Sequence, residues 1–435
     1  MALLLKNVYA LDGRLRPARR VDLRITEAGV IGTIAPAGSL KPQPDDCVDD
    51  RHDGTAVIPA FANAHCHAAM SLFRGLGEDE PLMEWLERKI WPVEARLTPQ
   101  TVRAGTELAA AEMALSGAGC FADMYYHMEV VAEVVRRVGL RGALSVGVVS
   151  RDDKLLAASL QKDLTPYRGP LTRLNLDPHA PYTVSLAGME RIARFGRENG
   201  LTVQTHFLEA EWERGYIKKT FGMEPVEYLE KTGLLELDHL VLAHGVWLTE
   251  GEMKELAGRG NVTVVHCPAS NLKLGSGVAA LPAMLDAGLP VALGTDGAAS
   301  NNRLDLWSEM RLMALIHKGT SKDPTAVPAH AALNCATLAG YRAFGFEGVG
   351  LIEEGWQADL TLVDLSGPQY VGADEDNLAG FIVYSGSSAD VTDLLVVGRW
   401  IVKNRDYLPD PVESLTEAAR RARRTLQSGA SEAGA

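Results

Sequence analysis

His65-Cys66-His67 is the most pointed local pattern in the chain. In an extended strand, residues i and i+2 face the same side. Two imidazoles placed this way can present their nitrogens to one cation. A lone His-x-His is more often a pair of polar loop residues, but here it has company. His206, His244 and Asp296 sit at the ends of three later apolar runs, in VQTHF, VLAH and ALGTD. Three or four imidazoles with one carboxylate suit a single divalent cation, Zn²⁺ first and Fe²⁺ second. Glu209 leaves its run just after His206. A carboxyl there can reach a substrate lying over the cation and carry a proton. The competing reading is a solvated acid at a helix start, which the charge-rich stretch EAEWER also fits. Glu211 and Glu213 are given that solvated reading. Cys66, between the two histidines, points the other way and reads as wall packing.

These residues need a scaffold that brings strand ends together. Eight apolar runs alternate with helical patterns: VIPAFANAHCH, GCFADMYYH, ALSVGVVSRDD, LNLDPHAPYT, LTVQTHFLEAE, HLVLAHGVWL, NVTVVHCPASN and LPVALGTDGAASNN. Nearly all finish in a polar or metal-binding side chain. Seven of the eleven histidines lie at or just after these run ends. In a (β/α)₈ barrel every strand points its C-terminal end at one shared face, where active sites are built. An open doubly wound sheet would not converge so many ligands. The intervening helices carry their own signals. Thr98-Pro99 reads as an N-cap followed by proline at the first helical position, and TEGE opens another helix that stops at glycine.

Both chain ends have a different texture, with short strands and turns. The expected architecture is α/β: a (β/α)₈ barrel over residues 59–349, and a small composite β-sandwich-like domain from residues 1–58 plus 350–410. A C-terminal helix and frayed tail fill residues 411–435.

Composition narrows the function. An apolar fraction of 46% and a charged fraction of 23% are ordinary for a folded enzyme. A net charge of −13 argues against nucleic-acid binding, which needs a basic footprint, and against anionic membranes. No apolar run approaches the roughly 20 residues that span a bilayer. Five cysteines with no CxxC pair read as reduced thiols, and the expected location is the cytoplasm. No GxGxxG or GxxxxGK[ST] motif is present.

The ordered set VIPAFANAHCHAAMSLFRG, DPHAPYT, THFLEAE, LAHGVWL, HCPASNLKLGSG and GTDGAASNN resembles the amidohydrolase superfamily. Within it the set is similar to the branch of 5′-methylthioadenosine/S-adenosylhomocysteine deaminases and related chlorohydrolases. The resemblance runs over essentially the whole chain. It implies one divalent metal held by His65, His67, His206 and Asp296, with Asp296 taking the proton of the attacking water. Water on such a metal loses its proton near neutral pH. His244 would stand beside the metal and steady the tetrahedral intermediate, and Glu209 would protonate the adjacent ring nitrogen of an adenine. His266 would be structural. Binuclear relatives use a carbamylated lysine at the end of strand four; DPHAPYT offers none, which favours a mononuclear site.

The resemblance also implies substrate contacts. His179 would reach the purine or sugar. Trp85 would cover the substrate, against an even alternative of core packing, and Trp91 is assigned to the core. Glu94 would accept the ribose hydroxyls. Ser300 and Lys154 complete the expected set, under a cover formed by residues 75–96. The sequence departs from the family where homocysteine-handling enzymes carry arginines. Val146 stands at one such position and Lys154 at another, with Arg151 as a substitute cation. Lysine does not replace bidentate carboxylate recognition. Methylthioadenosine and adenosine therefore rank above S-adenosylhomocysteine. The alternatives are another heterocycle (an s-triazine, guanine or a pterin), or a barrel that has lost catalysis. The resemblance further implies a homodimer or homotetramer acting on a small-molecule nucleoside.

Overall fold

The computed structural model describes residues 1–51, 54–145, 160 and 163–428. The chain opens with β1 (Ala2–Ala10), β2 (Arg19–Ile25), β3 (Ile31–Pro36), β4 (Asp46–Asp50) and β5 (Thr55–Pro59). Then come β6 (Phe61–His67), β7 (Ala118–Asp123), β8 (Arg141–Ser145), β9 (Thr172–Leu176), β10 (Thr202–Phe207), β11 (Leu240–His244), β12 (Val262–His266), β13 (Val291–Leu293) and β14 (Asp296–Gly297). The chain closes with β15 (Leu360–Asp364), β16 (Val391–Val396), β17 (Arg399–Lys403), β18 (Asp406–Tyr407) and the helix Val412–Ser428.

Strands β6 to β13 pair in chain order, all parallel. β13 and β14 are two parts of one strand. The first part pairs with β12, and the second pairs with β6, setting Asp296 opposite Cys66 and Gly297 opposite His67. Between them the Gly294 N–H donates to His266 and the Thr295 N–H to His65. The ring is therefore complete, as a (β/α)₈ barrel requires. Gly294 is needed at the join: a Cβ there would meet Val265 at 2.8 Å and the His65 backbone at 3.0 Å. The barrel interior is filled by small side chains, among them Ala62, Ala64, Ala122, Ala143 and Ala292.

The helices begin where the sequence signals say. Thr98 and Thr101 cap each other ahead of Pro99–Leu115, and Thr249 and Glu252 do the same for Glu250–Arg259. The two chain ends join in one nine-stranded mixed sheet, ordered β18-β17-β16-β15-β5-β1-β2-β3 with β4 also on β1. Its core is Leu3, Leu5, Leu23, Val57, Leu360 and Leu395. Arg141 ties this sheet to the barrel: its Nε donates to Asp359 at 2.6 Å, both groups buried. A buried guanidinium is tolerated only when paired this way. No described helix is long and apolar enough to cross a membrane.

Candidate active site

The C-terminal ends of β6, β10 and β14 deliver His65 and His67, His206, and Asp296 to one point. The four ligand atoms all lie within 4.8 Å of one another, and all four residues are buried. His67 Nε2 is 3.2 Å and His65 Nε2 3.5 Å from Asp296 Oδ1. His65 Nε2 is buried and makes no hydrogen bond. Three nitrogens and one carboxylate oxygen, with a lone pair left over in a dry site, are the donor set of a divalent metal such as zinc. Burial opposes the charge on Asp296, yet its contacts with His65 and His67 hold it well below the usual carboxylate range. Burial pulls His67 down, but Asp296 and the Met124 carbonyl overcome it and raise it to about 9. Burial keeps His65 and His206 low, hence neutral.

Every imidazole in this group is oriented by a partner on its other nitrogen. His67 Nδ1 meets the Met124 carbonyl at 2.6 Å, and His206 Nδ1 meets the His179 carbonyl at 2.8 Å. His65 Nδ1 meets Gln204 Oε1 at 3.0 Å, while Gln204 Nε2 donates to the Ala64 carbonyl. An acceptor at Nδ1 places the proton there and frees Nε2 as a ligand. Gln204→Leu is therefore expected to weaken zinc affinity by about 10- to 100-fold, read by competition with a chelator. His244 differs: the Asn271 side-chain nitrogen donates to its Nδ1 at 2.9 Å. Its Nε2 then carries the proton and is a donor. Burial lowers His244 to about 4, so the ring is neutral. It stacks on His206, with ring centroids 5.3 Å apart.

Glu209 is 4% exposed, not solvated. Ser276 Oγ donates to its Oε1 at 3.3 Å, and His244 Nε2 is 3.7 Å from its Oε2. Burial, with the nearby Asp296 charge, pushes it up to about 8, so it holds a proton at neutral pH. Glu213 corrects the solvated reading. It is buried, and its carboxylate accepts the backbone N–H groups of Leu208, Glu209 and Ala210. This cradle holds the turn in which Leu208 takes a φ of +52°, and so aims Glu209 at the site. Glu211 is exposed, as expected.

Beside His67 lies a cavity lined by Met70, Trp91, Glu94, Tyr125, Tyr126 and His179. Its cover comes from the segment after β6, which contains a wide helical turn at Leu86–Ile90, closed by the Trp91 N–H on the Leu86 carbonyl. Such turns shift the helical phase. Trp85 consequently packs in the core, 4% exposed, with Nε1 on the Leu76 carbonyl. Trp91, assigned to the core from sequence, lines the cavity instead. Trp85→Ala is expected to cost about 3–5 kcal/mol of stability in denaturant unfolding, whereas Trp91→Ala should raise KM with little change in stability. Burial pushes the Glu94 carboxyl up, with Tyr125 and His67 pulling the other way.

A family model described as the amidohydrolase family matches residues 56–401. The chain belongs to that family. It is 38% identical over 413 residues to the 5-methylthioadenosine/S-adenosylhomocysteine deaminase of Thermococcus onnurineus, covering 93% of this chain and 95% of that one. It is 41% identical to the 5′-deoxyadenosine deaminase of Methanopyrus kandleri, over 80% of this chain and 81% of that one. Among solved structures it is similar to a zinc-bound adenosine deaminase from Xanthomonas campestris, with a TM-score of 0.91, 33% identity and 98% of each chain covered.

One expected contact, Ser300, falls elsewhere in this amidohydrolase. Ser300 is 1% exposed, and its hydroxyl donates to Asp296 Oδ2 at 2.8 Å; it is not among the residues lining the cavity. Ser270 donates to the same oxygen at 2.6 Å. The two hydroxyls orient the ligand carboxylate. Lys154, Val146 and Arg151 lie outside the described residues. His179 faces the cavity and holds Thr183 through Nδ1 at 3.0 Å. His266 is buried against His317, their Nε2 atoms 3.3 Å apart, and is not in the ligand cluster. Sequence reasoning missed Gln204, Asn271 and Ser270. Only their proximity to strand ends could have suggested them.

Proposed function

We propose that this amidohydrolase deaminates an adenine nucleoside by hydrolysis, replacing the 6-amino group with oxygen and releasing ammonia. The observation that carries this reading is a buried Glu209, 3.7 Å from His244, beside a site of three histidines and one aspartate. A divalent cation held by His65, His67, His206 and Asp296, zinc first and iron second, supplies Lewis-acid activation of water when bound. Asp296, fixed by Ser270 and Ser300, accepts the proton of the attacking water. Glu209 delivers its proton to the ring nitrogen beside the carbon under attack. His244 donates from Nε2 to the oxygen of the tetrahedral intermediate. Asp296 then returns its proton to the departing amine while the hydroxyl proton of the intermediate passes to the Glu209 carboxylate, so the C–N bond breaks, the ring carbon keeps a carbonyl oxygen and ammonia leaves. Glu94 accepts the ribose hydroxyls and His179 contacts the purine or sugar.

Substrates without a carboxylate fit this reading best, because Val146 and Lys154 stand where homocysteine-handling relatives carry arginines. Methylthioadenosine and adenosine therefore rank ahead of S-adenosylhomocysteine. Residues 75–96 form the cover over this cavity, with Leu86, Ile90, Trp91 and Glu94 in its lining. The proposal includes a barrel domain over 59–349, an end domain over 1–58 and 350–410, self-association, and a cytoplasmic location supported by free thiols at all five cysteines.

The test is loss of the adenine absorbance with ammonia release by zinc-loaded enzyme on adenosine, methylthioadenosine, S-adenosylhomocysteine, guanine and a chloro-s-triazine. Chelator-sensitive turnover of the first two supports the proposal. Silence on all nucleosides with metal bound overturns it, and the highest kcat/KM on S-adenosylhomocysteine overturns the ranking.

A further inference from the structure

At the opposite end of the barrel, where the strands begin, lies a cavity of 710 Å³. It is bounded by the starts of β12 and β13, by the turn after β1, and by the helices that carry His330 and Arg342. Its titratable lining is Arg14, His239, His330, Arg342 and the Cys335 thiol, with no aspartate or glutamate. Across the whole chain acids outnumber bases, 56 to 43, so this lining reverses the overall balance. Arg14 is paired with Glu353. The Arg342 side chain has no acid or hydrogen-bond partner among the described residues. A neighbouring cavity of 430 Å³ shares His239 and adds Arg168 and Arg173 against one acid, Asp238.

The rest of the wall is apolar at Leu285, Leu289 and Leu338. A bare ion would not use it. The Arg342 guanidinium supplies charge and donors, and the two imidazoles further hydrogen-bonding nitrogens, that suit a phosphoryl dianion. An apolar wall suits an organic body, and the volume is that of an ordinary ligand pocket.

We propose that this floor cavity is a second binding site, for a small organic phosphate. The phosphoryl group pairs with Arg342, His330 and His239, and the organic body lies along the leucines.

Ribose 5-phosphate, inorganic phosphate and succinate, titrated calorimetrically into zinc-loaded enzyme at constant ionic strength, test this. Ribose 5-phosphate is expected to bind once per chain and more tightly than inorganic phosphate. Arg342→Glu, at an exposed position, should weaken that binding by about tenfold or more and leave deaminase activity without phosphate unchanged. Absence of binding, equal binding by the variant (which would locate the phosphate at the metal), or equal affinity for succinate overturns the proposal.

Discussion

Glu209→Gln is expected to keep its zinc and lose about 10²- to 10⁴-fold in kcat, the range for removing a positioned proton donor. Glutamine preserves the size and polarity of the buried side chain and can still accept from Ser276. It cannot deliver a proton to the ring nitrogen. The wild-type pH profile should carry the same signature. Burial and Asp296 raise Glu209 to about 8, so the acid form prevails below that pH. The rate should therefore fall as pH rises through about 8, and the residual rate of the variant should lack this limb. Elemental analysis, stopped assays and a pH series check all three points. A near-normal kcat in the variant would remove Glu209 from the mechanism.

Asp296→Asn should be at least as damaging, by a different route. Asp296 is the only anion in the ligand set, so the substitution removes the charge that attracts a divalent cation and the base that accepts the water's proton. Loss of about 10³-fold or more in kcat is expected even at saturating zinc, together with metal loss on dialysis. Added zinc should restore occupancy before it restores rate. If zinc restores both together, Asp296 is a ligand and nothing more.

The barrel and its ligands were legible because each strand ends in the residue that does the work. His65, His67, His206, His244 and Asp296 all stand at strand termini, and the two-residue strand period and one-sided barrel mouth follow from backbone geometry alone. What failed depended on contacts distant in sequence or on broken periodicity. The wide turn at Leu86–Ile90 shifts the phase of its helix, so Trp85 takes the core reading of its two and Trp91, expected in the core, lines the cavity. Glu213 looks like any acid on a charged helix until the turn before it folds back onto its carboxylate. Ser300 bonds its own strand's aspartate rather than facing the cavity. The tautomer of His244 rests on Asn271, which stands on the short helix Pro268–Lys273 after another strand, β12.

The way the ring closes has a consequence for the folding of the chain. β14 meets β6 at only two paired positions, Asp296 with Cys66 and Gly297 with His67. His65 and His67 stand on one side of that seam and Asp296 on the other. A bound cation therefore cross-links the first barrel strand to the last and closes a loop that contains nearly the whole barrel. Its effect resembles that of a long-range disulfide, which takes entropy from the unfolded chain, and it adds the mass-action stabilisation of any ligand bound only to the native state. In metal-stripped protein, the amides of Thr295, Asp296 and Gly297 should be the first of the barrel ladder to exchange with deuterium, as the cylinder breathes open along this line.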